Sequence, residues 1–247
     1  MPVFNNEYEA LTLNDTCLTD PLLMALAWKK AHDYIRTTNW YADNFELDVS
    51  SIDLPSRCNE WVKEIQGELK FKPLELIPAP KSHPWEFVDP EDPFRLAEYK
   101  LIWQPAKEDK SKTENNEKED PLKLRPLAHI GIREQAIMTL VMMCLANDVE
   151  SAQGDPATDY AEVHKKGIVS YGNRLYCRYD NEKAEHSYGA TTTYSKYFTD
   201  YRRFLQRPHY FARKELPEKS EDEEVYLVEL DLSRFFDCID RRALNRK

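Results

Sequence analysis

Val225-Tyr226-Leu227-Val228-Glu229-Leu230 runs into Asp231-Leu232-Ser233-Arg234-Phe235-Phe236-Asp237-Cys238-Ile239-Asp240. An apolar run with so little alternation predicts a strand covered on both faces, in the middle of a sheet. The acidic stretch from Glu218 to Glu224 bounds it upstream, and the strand delivers Asp231 at its end. Ser233 is placed to cap a helix that carries Phe235, Phe236 and Asp237 and runs to the chain end. One such strand in a chain rich in helical patterns predicts an α+β fold, mostly helical.

Outward from that segment, composition sets limits. The chain has 247 residues and a net charge of −10, which excludes a strongly basic nucleic-acid coat protein. With 41% hydrophobic residues and only 6 glycines it is globular rather than disordered or collagenous. The longest apolar run, Ile137 to Ala146, is about half of what a bilayer-spanning helix needs, so no membrane partner is expected. Met1 to Glu7 has neither a basic nor an apolar signal region. Cys17, Cys58, Cys144, Cys177 and Cys238 show no Cys-x-x-Cys pair, which favours free core thiols in a reducing cytoplasm. No two glycines form a phosphate-cradling frame.

Asp20-Pro21 followed by Leu22, Leu23, Leu26, Trp28, Tyr34 and Ile35 predicts a helix with Asp20 as N-cap and Pro21 in the first turn. A second helix is expected after Pro55, with Trp61, Ile65 and Leu69 on one stripe. Prolines at 73, 78, 80 and 84 mark an extended connector. Arg95 to Gln104 and Leu122 to Ile130 read as the strands of one β-hairpin whose charged tip is Lys107 to Glu119. Ile132 to Val149 then has the spacing of a helix buried along one face. The expected divisions are 1–84, a helical extension and linker; 85–220, a region with the charged hairpin tip 107–119; and 221–247, the segment of the apolar strand.

Asp231 to Asp240 resembles the first carboxylate motif of reverse transcriptases, D-[LI]-x-x-F-[FY]-D-x-I. Lys123-Leu124-Arg125-Pro126-Leu127, followed by Ile130 and Arg133-Glu134-Gln135, is similar to the first block of the bacterial enzymes, a basic strand turning into a helix. Ser170-Tyr171-Gly172-Asn173-Arg174-Leu175 is similar to their second block. The three blocks stand in the family's order. Trp28-Lys29-Lys30, Asn39 to Asp43 and Ile77 to Lys81 resemble the defence-associated, abortive-infection group. The resemblance implies fingers plus the start of a palm, and an RNA-directed DNA polymerase acting in antiphage defence on an RNA template, a DNA primer and dNTPs.

It also implies roles. Asp231 would bind Mg²⁺ together with the Leu232 carbonyl in a two-metal site. Arg125, then Lys123, would hold triphosphate. Phe236 would exclude a ribose 2′-hydroxyl. Other readings stand beside these: Asp231 as a helix cap, Arg125 and Lys123 as solvated hairpin charges, and Arg174 as either a backbone contact or an internal salt bridge. Arg202, Arg203, Arg207, Arg213 and Lys214 lie among Phe204, His209, Tyr210 and Phe211 with no acid between them. That pattern suits a nucleic-acid track, or else one solvated helix face. The family's Asp-Asp catalytic block is not found, so a truncated palm and a chain inactive alone are expected. A non-catalytic RNA- or protein-binding module and an RNA-dependent RNA polymerase are the rival readings.

Overall fold

The computed structural model describes residues 13–39, 42–80, 85–88, 102–105, 124–215, 224, 226–232, 238–240 and 242. The fold is α+β. A 3-10 helix (Asp15–Thr19) precedes α1 (Pro21–Thr38), α2 (Asn44–Ser50), α3 (Leu54–Gln66), β1 (Glu75–Pro80), β2 (Trp85–Val88), β3 (Ile102–Pro105), β4 (Leu124–His129), α4 (Ile132–Gln153), β5 (Cys177–Asp180), β6 (Lys183–His186) and α5 (Tyr197–Glu215). No described helix is long and apolar enough to cross a membrane.

α1 starts where the sequence places it. The Asp20 carboxylate accepts the Leu22 N–H at 2.8 Å, and Pro21 follows where a helix has no use for its missing donor. Leu23, Met24 and Ala27 share one face and pack with Cys58, Trp61 and Val62 of α3 and Ala136, Ile137, Leu140 and Met143 of α4. Ala31 and Ile35 extend that face onto Leu47 of α2 and Ile132. Burial pushes the Cys58 thiol up to about 11, so it stays protonated in the core.

Lys30 interrupts this stripe, fully buried. Its ammonium donates to the carbonyls of Ser187 at 2.8 Å, Ala190 at 2.6 Å and Thr192 at 3.3 Å, and so ties the 187–192 loop to α1. A cation is tolerable there because its three protons meet backbone acceptors.

The strands pair differently from expectation. β4 does not pair with the strand before the charged tip. It pairs antiparallel with β1, while β3 pairs with β2. The proline-rich connector thus supplies a strand. Pro78 stands opposite Pro126 and Pro80 opposite Leu124. All three prolines fall on one alternate set of positions, so a ladder carried by 75↔129, 77↔127 and 79↔125 loses no donor. The hairpin tip 107–119 lies outside the described residues.

β4 leads directly into α4, as the sequence predicts. The N-terminus of α4 is held by a carboxylate from α2: Glu46 Oε1 accepts the Ile132 N–H at 3.2 Å, and Glu46 Oε2 lies 3.4 Å from His129 Nε2. An anion at this end complements the helix dipole. Gly131 leaves room for it, since a Cβ there would lie 2.9 Å from Glu134 Oε2 and 3.2 Å from Glu46 Oε1.

The chain divides into two compact units, Met1–Leu145 with Ser187–Thr193, and Ala146–His186 with Tyr194–Lys247. The expected boundaries at 84 and 220 lie outside the described residues. In the second unit, β5 and β6 form a hairpin whose two-residue turn, Asn181-Glu182, has φ of 45° and 72°. Both residues left-handed is the turn whose twist matches the strands.

The apolar segment 226–230 is the largest correction. Tyr226, Leu227, Val228 and Leu230 are exposed, Leu230 at 90%, and residues 226–232 belong to no strand. A central strand needs a hydrogen-bonded neighbour on each side. None of the described strands pairs with this segment, so among the described residues it has no sheet to be the middle of. Cys238, expected in the core, is likewise exposed because no described element covers it. Of the helix expected from Ser233 to the chain end, residues 233–237 lie outside the described residues, and Ile239 and Asp240, which are described, are not helical.

Candidate nucleic-acid interface

Arg174 lies in the second unit, just after Asn173, which has a left-handed φ of 52°. The side chain is only 1% exposed. Nε donates to Glu150 Oε2 at 2.8 Å, Nη1 to the Ser170 carbonyl at 2.8 Å, and Nη2 to the Tyr179 hydroxyl at 2.7 Å and the Gly154 carbonyl at 2.5 Å. Glu150 in turn accepts from Tyr179 Oη at 2.9 Å and from the Leu175 N–H at 2.9 Å. Burial, and then the bond to Glu150, raises the Tyr179 hydroxyl above the ordinary phenol range. Arg174 therefore takes the salt-bridge reading: four of its five N–H donors are bonded to groups of the same unit, and its side chain is buried away from any nucleic-acid backbone.

α5 follows, carrying the basic and aromatic residues singled out in the sequence. Its first turn is fixed by Asp200, which is buried and accepts from Ser195 Oγ and, at 3.2 Å, from Arg203 Nη1. At about 100° per residue, Asp200, Arg203, Arg207 and Phe211 fall on one side. That side packs on the 160–171 segment. Arg207 donates to the Ile168 carbonyl, reaches His164, and lies 5.9 Å from the centre of the Tyr171 ring. Phe211 joins Val163, Ile168 and Tyr171 in a small apolar cluster, with its ring 4.5 Å from that of His164. Two of the five predicted track residues, Arg203 and Arg207, are thus occupied in holding the helix down.

The other side faces outward. Arg202, His209, Arg213 and Lys214 are exposed, together with Tyr197, Phe198, Tyr201, Phe204 and Leu205. Phe198 is 79% exposed. The Tyr197 and Tyr201 rings stack at 5.5 Å and 11°, and Tyr201 stacks on Phe204 at 6.3 Å and 24°. Burying these rings in the core would have been worth about 1.5–3 kcal/mol each. Across Lys196 to Lys214 the only acid is Asp200, on the buried side. Pro208 lies inside the helix and leaves the Phe204 carbonyl without its i+4 donor. The sequence reading missed Tyr197 and Tyr201. Their four-residue spacing, continued by Phe204, was the available signal.

The remaining predicted site residues do not assemble with these. Arg125 is in β4 opposite Ala79, and its side chain lies outside the described residues, as do Lys123 and Phe236 altogether. Asp231 and Leu232 are exposed on the segment that belongs to no strand. Among the described residues no group of three His, Cys, Asp or Glu side chains converges on a point where a metal could sit. Asp231 contributes a single carboxylate, which does not by itself fit a two-metal centre. A separate polar cavity of about 430 Å³ in the second unit is lined by Ser151, Asp155, Thr158, Lys166, Tyr179 and Glu182 among others. Its Lys166 and Glu182 pair with each other at 3.2 Å. No family model, curated protein or solved structure matches the chain.

Proposed function

We propose that this chain is the nucleic-acid-holding part of an RNA-directed DNA polymerase of the bacterial antiphage-defence type. The observation that carries nucleic-acid binding is the outward strip of α5, where Arg202, His209, Arg213 and Lys214 stand among exposed rings and the helix has two acids, Asp200 on its buried side and Glu215 at its end. In a chain of net charge −10, such a strip focuses attraction for a polyanion on one helix. The polymerase assignment draws on the three sequence blocks that resemble reverse transcriptases. In it, Asp231 and the Leu232 carbonyl would hold Mg²⁺ only together with further carboxylates, and the metal would stabilise the attacking and leaving oxygens. Arg125 and Lys123 hold the dNTP triphosphate, and Phe236 excludes the 2′-hydroxyl.

Primer extension with an RNA template, a DNA primer, dNTPs and Mg²⁺ tests this reading. Template-dependent product that disappears in Asp231→Ala supports it, and product unaffected by Asp231→Ala removes Asp231 from the chemistry. Template binding without product is the outcome expected of the chain alone, whereas RNA binding with no preference for a primed template favours the second reading, a non-catalytic RNA- or protein-binding module. That alternative is motivated by Asp231 lying exposed on a segment that belongs to no described strand. The defence role is tested by phage plating on cells that express the wild-type protein or Asp231→Ala.

A further inference from the structure

We infer that the outer face of α5 binds single-stranded nucleic acid, with Tyr197, Tyr201 and Phe204 as a stacking platform and Arg202, His209 and Arg213 as the backbone track. This rests on the nucleic-acid reading above and specifies its ligand. Around the helix, positions 197, 201 and 204 fall within one narrow sector, and 202, 209 and 213 within a second sector about 120° away. Phe198 and Leu205 lie between them, both exposed. Bases and phosphates of one strand can therefore run along the same helix side by side.

The rings set the strandedness. The π-face of a base is open to a protein ring only when the base is unpaired or splayed from its neighbours, and a duplex presents phosphates alone to such a surface. The three rings are already ordered into a parallel stack, with spacings of 5.5 and 6.3 Å, so little side-chain freedom is lost when a base is added. From Tyr197 to Arg213 the helix rises about 24 Å, room for on the order of four to seven nucleotides. The outward cations, Arg202 and the Arg213–Lys214 pair, stand about 17 Å apart along the helix axis, which suits an extended polyanion better than a compact acidic protein surface. A protein partner is accordingly an outcome of the test.

The experiment is fluorescence anisotropy on the full chain. The probes are a labelled oligonucleotide of about 12 nucleotides, as single-stranded RNA and DNA, and the duplex of the same sequence, in about 50 and about 200 mM salt. The expected result is tighter binding of the single strands by about tenfold or more. Tyr201→Leu should weaken the single strand by about 5- to 150-fold without changing the salt slope. Arg202→Ala with Arg213→Ala should lower that slope by about 1 to 2. Circular dichroism melts check that each variant folds. Equal affinity for duplex and single strand, or Tyr201→Leu binding like wild type, overturns the stacking inference while leaving nucleic-acid binding intact. Failure to bind any of the probes overturns both readings and turns the face toward a protein partner.

Discussion

α1 and α5 are of nearly equal length and both have two unlike sides, but they are mounted in opposite senses. α1 buries Leu23, Met24, Ala27, Ala31 and Ile35 against α2, α3 and α4. α5 turns Asp200, Arg203 and Arg207 inward and leaves Tyr197, Phe198, Tyr201, Phe204 and Leu205 outside. In α1 the apolar side is consumed by folding, which is where most of the free energy of a fold originates. In α5 the apolar side is left over, and the helix is held instead by hydrogen bonds to Ser195, Ile168 and His164. The difference separates residues whose loss is felt as instability from residues whose loss is felt as binding.

The largest expected effect lies in the buried network beneath that contrast. Arg174→Ala would leave the Glu150 carboxylate buried with only the Leu175 N–H and the Tyr179 hydroxyl, and would strip the Ser170 and Gly154 carbonyls of a donor. Breaking a buried ion pair from one side costs about 3–5 kcal/mol. Urea denaturation should show a lower midpoint and a loss of unfolding free energy of that size. An Arg174→Ala protein with wild-type stability and lost nucleic-acid affinity would mean that Arg174 works at the surface.

Next, Met24→Ala tests the α1 half of the comparison. The side chain is fully buried, and truncation should cost about 2–5 kcal/mol. Tyr201→Leu on α5, at a side chain 43% exposed, should change stability by no more than about 0.5 kcal/mol. If both cost the same, the two helices are not mounted differently and the outward rings are part of a core.

How far the sequence anticipates this depends on whether a signal is local. Asp20-Pro21 and the stripe after it specify α1 without help from other elements, and the β4-to-α4 transition is legible for the same reason. β1 is not, because its prolines argue against a strand until the parity of Pro78, Pro80 and Pro126 across the ladder is known. The apolar run at 226–230 misleads in the opposite direction, since a strand exists only with partners. At the candidate interface, five basic residues were legible as a group. Which side of α5 each faces depends on the 160–171 segment packed against it, and that is tertiary information. The ties made by Lys30 and Glu150 rest on contacts more than 20 residues apart and leave no local pattern.

Thiol chemistry gives a smaller effect with a clear direction. Burial raises Cys58 and Cys144 to about 11 from an ordinary 9.0, whereas Cys238 is exposed. Alkylation of the native protein near pH 8 should label Cys238 first and Cys58 only on unfolding. Because the folded values lie above the unfolded ones, the unfolded chain loses these protons first. The stability associated with the neutral thiols is therefore present below pH 9 and is lost as pH rises toward about 11. Mass-spectrometric mapping of the label with time checks the order, and early labelling of Cys58 would show that the α1–α3 core opens readily.

The finest test of the comparison uses three arginines on α5 itself, where composition is constant and only the side of the helix differs. Arg207 caps the Ile168 carbonyl and lies over Tyr171, so Arg207→Ala should cost about 1–3 kcal/mol of stability by leaving that carbonyl without its donor. Arg203 pairs with buried Asp200 and should behave in the same way, to a lesser degree because its own side chain is 31% exposed. Arg202, its immediate neighbour, is exposed, and Arg202→Ala should leave the melt within about 0.5 kcal/mol of wild type. Its signature is instead a decrease of about 1 in the slope of log affinity against log salt for single-stranded oligonucleotide. Adjacent positions thus exchange roles across one peptide bond: stability falls at 203 and salt dependence falls at 202. If Arg203→Ala changed the salt slope while Arg202→Ala changed only the melt, α5 would have to be turned about its axis by about a third of a turn, and the outward ring ladder with it.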